Sequence, residues 1–169
     1  YFSVPAHKPA RTLMFVGSGG HHSSGMNGPA SVVAMNPDLM KRVKLVINLE
    51  HLAQYRIEAV PGWIVNADEE PKNFGISNSS PFLVATVKAA AERYGFSVRP
   101  EIVNTVPGDL SGYAPLNVAR MQGIHSGPLY HTSGDTLASI STEGLERAAR
   151  FYAYVIEAAG KASAAELNP

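Results

Sequence analysis

The sequence predicts an α/β fold with a mostly parallel central sheet. Three observations carry that prediction. Short apolar runs end in glycine-rich or polar loops, helical patterns lie between those runs, and a long amphipathic pattern closes the chain. The 169 residues have the size of one ordinary domain, 1–169, which buries roughly 70% of its unfolded surface.

Arg11-Thr-Leu-Met-Phe-Val-Gly17 reads as a buried strand. Val43-Lys-Leu-Val-Ile-Asn-Leu49 is nearly all apolar, as a central parallel strand covered on both faces would be. Between them, Pro29-Ala-Ser-Val-Val-Ala-Met35 and Pro37-Asp-Leu-Met-Lys-Arg42 look helical, broken at Asn36 before Pro37. The three together make a right-handed βαβ unit. Residues 56–66 read as a strand pair turning at Pro61-Gly62. Ser80 and Pro81 open a helix that runs to Tyr94 and stops at Gly95. Phe96 to Pro100 is a short strand, 107–112 a loop and 114–121 a short helix. Ser141 caps the last helix, with Glu143 in its first turn. Leu145, Ala148, Ala149, Tyr152, Val155, Ile156 and Ala159 share one face of it. Glu143–Arg147 and Glu146–Arg150 are favourable pairs four residues apart. The tail after Lys161 is expected to fray.

Composition excludes several classes. The apolar fraction of 45% rules out a disordered chain. Fourteen basic residues balance fourteen acidic ones, so the basic excess of a nucleic-acid binder is missing. No apolar run reaches membrane-spanning length, no signal peptide opens the chain, and no membrane partner is expected. With no Cys there are no disulfides and no cysteine nucleophile. G-x-S-x-G and H-E-x-x-H are both absent.

In an open α/β sheet, ligands sit beyond the carboxyl ends of the strands, and three loops there carry chemistry. The first is Gly17-Ser-Gly-Gly-His21-His22-Ser-Ser-Gly25. It reads as a dinucleotide fingerprint with His22 in place of the third glycine, as imidazoles at the mouth of the sheet, or as a solvated His pair. The second is Asn48-Leu49-Glu50-His51, where an acid follows an apolar run. That acid needs a metal, an Arg or backbone N–H groups if buried, and nothing if the strand simply reaches water there. The third is Tyr130-His131-Thr132-Ser-Gly-Asp135-Thr136, where Asp135 and Thr136 can tie the loop and aim His131. Its plainer reading is a turn with one exposed His.

Together these loops resemble the co-catalytic zinc aminopeptidases: bacterial leucyl-type aminopeptidases, with glutamate carboxypeptidases and glutaminyl cyclases as relatives. Tyr130-His-Thr-Ser-Gly-Asp-Thr136 is similar to that family's Y-H-T-x-x-D-T segment, Val46-Ile-Asn-Leu-Glu50 to its N-L-D strand end, and Phe15-Val-Gly-Ser-Gly-Gly-His-His22 to its strand and paired-acid loop. The resemblance implies a three-layer zinc-exopeptidase-like sandwich and covers the later portion of the family's domain. It puts His131 and Glu50 on zinc-ligand positions, Glu50 replacing an Asp, and His22 on that of a ligating Glu. His21 falls on the general base, another Glu. Gly112-Tyr-Ala-Pro-Leu116 resembles a D-H-x-P-F stretch, and Tyr113 and Tyr130 are expected to meet substrate. A further His and a metal-bridging Asp have no counterpart here; their place would precede Tyr1.

At most one zinc is therefore implied, on His22, Glu50 and His131, with a peptide or amino-acid amide as substrate. The competing readings are an inactive peptidase-fold binding or assembly module and a nucleotide-binding domain. A sheet edge left open would also favour pairing with a second copy of the chain.

Overall fold

The structure, a computed structural model, describes residues 1–20, 22, 27–61, 63–69, 72–125 and 127–169, with the backbone alone at 58–60, 63–69 and 72. Its elements in chain order are α1 (Gly28–Met35), α2 (Pro37–Met40), β1 (Leu45–Asn48), β2 (Tyr55–Val60), β3 (Trp63–Glu69), β4 (Lys72–Ile76), α3 (Pro81–Tyr94), β5 (Val98–Ile102), β6 (Ala119–Ile124), α4 (Thr142–Lys161) and α5 (Ala164–Leu167). A 3-10 segment, Gly108–Leu116, leads into β6. The main sheet has the order β1-β6-β4-β5, and β2 and β3 form a separate antiparallel hairpin. β1 runs parallel to β6 and β4 parallel to β5, while β4 and β6 are antiparallel. The sheet is thus mostly parallel, as expected.

Alternation along the strands builds three layers. On one face Leu45, Ile47, Phe74, Ile76, Ala119 and Met121 pack with Phe151, Tyr152 and Val155 of α4 and Leu83 and Val87 of α3. On the other, Val46 joins Val106, Leu110 and Tyr113 against Val32 and Val33 of α1. Neighbours on one strand take opposite sides because the side-chain period is two. Close approach of the outer pieces depends on Gly112, where an added Cβ would stand 2.6 Å from the Ala30 amide nitrogen.

Several helix ends follow their sequence signals. Ser80 Oγ accepts from the Leu83 amide at 3.1 Å, and Gly95, at φ 62°, ends α3. Ser141 Oγ accepts from the Gly144 amide at 2.8 Å. Asn27 caps α1 through the Ala30 amide.

Other expectations are corrected. Residues 11–17 form no strand, and Phe15 is 81% exposed. The start of this segment is held elsewhere: the Arg11 guanidinium donates to the Ala159 and Ala162 carbonyls at the end of α4, while two residues past Gly17 the Gly19 carbonyl accepts from the Gly28 amide. Apolarity does not supply the ladder partner that a strand requires. β1 lies at the edge of the main sheet, not its centre. The short helix expected at 114–121 is instead the end of the 3-10 segment and the start of β6, a central strand. β6 escaped notice because Arg120 and Gln122 interrupt its apolar pattern. Arg120 Nη1 donates to the Leu110 carbonyl at 3.4 Å, so the polar side chains face the 3-10 segment rather than solvent.

On α4, Leu145 and Ala149 are exposed, and Phe151, outside the expected stripe, is fully buried. Glu146 and Arg150 do pair, at 2.6 Å. The tail is ordered into α5 by a Ser163–Glu166 capping box, a buried Leu167, and Asn168 contacts to Ala119 and Lys44. Among the described residues, no helix is long and apolar enough to cross a membrane.

Candidate functional site

The carboxyl ends of β1 and β6 stand side by side, Asn48 opposite Gln122. Asn48 Nδ2 donates to Glu50 Oε2 at 2.8 Å and to Gln122 Oε1 at 3.1 Å, and Gln122 Nε2 donates to the Pro107 carbonyl at 3.0 Å. Gln122 is fully buried. One oxygen of Glu50 is therefore held by an amide network whose members are themselves fixed. The other, Oε1, lies 3.6 Å from His51 Nε2. The backbone of Gly108, at φ 66°, closes over this carboxylate; an added Cβ would stand 3.6 Å from Oε2. The site thus opens where an α/β sheet places its ligands.

From Glu50 a series of ring contacts reaches the other loops. His51 meets Tyr130 edge to face at 5.2 Å, Tyr130 stacks on His131 at 3.8 Å, and His131 meets His22 edge to face at 4.7 Å. The Tyr130 hydroxyl lies 3.4 Å from His22 Nε2. Residues 22, 50–51 and 130–131, far apart in sequence, belong to one cluster. The 130–131 loop is tied by Thr132, whose hydroxyl donates to the Leu129 carbonyl at 2.7 Å and accepts from the Gly134 amide at 3.2 Å. Asp135 contributes by accepting from Ser139 Oγ at 3.4 Å.

Among the described residues, the non-glycine positions with positive φ are His51 (49°), Asn117 (50°) and His131 (58°). Asn tolerates this conformation; an imidazole residue held there costs on the order of 1–2 kcal/mol. Both strained histidines are in the cluster.

Beneath it, Tyr152 of α4 is 5% exposed. Burial pushes its phenol well above the ordinary value, opposed by the Gly123 amide and reinforced by the Glu50 carboxylate. Tyr113 is buried in the α1-side core, where burial and then Asp109 raise its phenol, and it joins none of the ring contacts described above. His21 lies outside the described residues. Sequence reasoning passed over His51, Asn48 and Gln122. The signal for His51 is its place directly after Glu50; Gln122 has none, because it lies just past the helix expected over 114–121 and polar residues mask its strand.

Two imidazoles sharing one zinc ion at ordinary Zn–N distances have ring centroids about 5 Å apart. His22 and His131, at 4.7 Å, match that spacing. The full donor set does not. Among the described residues no group of three or more His, Asp or Glu side chains converges to hold a metal. The residues present fit half of a zinc centre, and no hydrolytic step through a metal is derived from them.

A three-layer α/β fold with a mostly parallel sheet thus carries imidazoles and a carboxylate beyond its strand ends, the place where such folds bind ligands. The model of peptidase family M28 matches residues 1–156, and the chain belongs to that family. No curated protein matches it. Among solved structures it is similar to BSAP, a zinc aminopeptidase from Bacillus subtilis, with 18% identity and a TM-score of 0.56 over 83% of this chain. The chain spans 34% of that neighbour's length.

Proposed function

We propose that this chain is a metallopeptidase-like hydrolase with a degenerate zinc centre. His22 and His131 supply two donors to at most one zinc ion, Glu50 is the third donor only by the resemblance to the family, and a peptide or amino-acid amide is the ligand of the cleft. By the resemblance to the family His21 would act as the base, and Tyr130, which stacks on His131, would meet the ligand. The perpendicular packing of His22 on His131 carries this reading. Calorimetric titration of the purified chain with zinc tests it. One equivalent binding at micromolar concentration, lost in His131→Ala, is expected. Absence of binding overturns the zinc centre, and release of amino acids from peptide amides by the same chain then decides whether any hydrolase activity is left.

The second reading is an inactive binding or assembly module, and the exposed surface favours it. The β5 edge is blunted by Pro100 and flanked by Arg99 and Glu101, whereas β1, Leu45–Asn48, has no such defence at the opposite edge. Met14, Phe15 and Met35 also stand exposed, at 48%, 81% and 80%. This reading expects a concentration-dependent mass in light scattering and no amide turnover. A monomer at all concentrations argues against self-assembly.

A further inference from the structure

We propose that His51 is a positioning residue, a fixed N–H donor beside Glu50, and that it stands outside any metal shell. Distance alone would make it a ligand. Its Nε2 lies 3.6 Å from Glu50 Oε1, near the roughly 3.4 Å that separates two donor atoms on one tetrahedral zinc. The hydrogen bonding decides otherwise. The His125 backbone amide donates to His51 Nδ1 at 3.1 Å. An amide N–H can only give its proton, so Nδ1 bears none. The neutral ring then carries its single proton on Nε2. A protonated nitrogen has no lone pair left for a metal. Histidines that bind metal show the reverse arrangement, with the remote nitrogen giving its proton to a carbonyl or carboxylate.

The ring is kept in this orientation from two sides. The left-handed backbone at φ 49° sets the direction of the side chain, and Tyr130 packs against the ring edge to face at 5.2 Å. The Nε2–H faces Glu50 Oε1 across a gap too long for a direct hydrogen bond. It therefore draws the free oxygen of Glu50 toward itself by electrostatics while Asn48 holds the other oxygen. The tautomer does not depend on the hydrolase reading above.

Long-range proton–nitrogen correlation spectra of the 15N-labelled full chain, at one pH where imidazoles are neutral, test this. The His51 signals are assigned by comparison with His51→Asn, which tolerates the backbone conformation. The expected spectrum shows His51 with a bare Nδ1 and a protonated Nε2, unchanged by one equivalent of zinc, while the His22 and His131 ring signals move. His51→Asn keeps the zinc stoichiometry, with affinity weakened by about tenfold or less, and His131→Ala loses binding. Loss of the Nε2 proton on adding zinc, or loss of stoichiometry in His51→Asn, overturns the proposal. Where zinc binds nowhere, the zinc centre fails and the metal-free spectrum still decides: a bare Nδ1 supports the donor, and a protonated Nδ1 overturns it.

Discussion

Strand β6 faces two different interiors. Ala119 and Met121 turn toward α3 and α4 and enter a sealed apolar layer with Phe74 and Phe151. Arg120 and Gln122 turn the other way, toward the 3-10 segment and the strand ends, where Arg120 donates to the Leu110 carbonyl and Gln122 donates to the Pro107 carbonyl while accepting from Asn48. The first interior is held by area removed from water, which is non-directional and tolerates exchange of one apolar shape for another. The second is held by direction, and removing one partner strands the next. Only the alternation of successive side chains along one strand separates the part that stabilises the molecule from the part that aims Glu50.

Mutations break that contrast in order of size. Phe151→Ala should cost about 3–5 kcal/mol, read as a fall in the urea midpoint, because it empties the centre of the apolar layer. At temperatures where the variant stays folded, zinc binding should match the parent. Gln122→Leu should cost about 1–3 kcal/mol, since the Pro107 carbonyl loses its donor inside the fold. Here the zinc affinity should fall as well, because Asn48 and Glu50 lose their support. Equal affinity in that variant would show that the amide network is structural only.

The contrast sharpens where the sign reverses. His131→Gly should raise stability by about 1 kcal/mol, because glycine accepts φ 58° without strain at this exposed position. The same change should abolish zinc binding. A stabilised variant that also binds zinc would remove His131 from the donor set.

The smallest effect lies at the far end of the apolar layer, where α5 is capped. The Ser163 amide and hydroxyl hold the Glu166 carboxyl below its ordinary value. A carboxyl depressed in the folded state contributes stability above its unfolded pKa, and that contribution is lost as pH falls through the folded pKa. Glu166→Gln should therefore melt below the parent at neutral pH, and the gap should close in strong acid. A constant gap in Tm across that range would mean that the charge plays no part.

Local rules were legible wherever a residue acts on its own neighbours. Ser80, Pro81 and Gly95 bound α3, Ser141 caps α4, and Pro37 separates α1 from α2. The loops holding His22, Glu50 and His131 were legible too, as polar residues following apolar runs. β4, β6 and the fate of residues 11–17 were not, since pairing depends on which edge a strand finds and not on its own composition.

Capping, helix stops and the chemistry of the candidate loops lie within a few residues of chain, so composition and spacing were enough to establish them. Which imidazoles meet, which proton His51 carries, and which face of β6 is polar depend on contacts between segments up to about a hundred residues apart. Such contacts form only when both partners are already placed by the packed layers around them, and no local pattern records where the other partner will be.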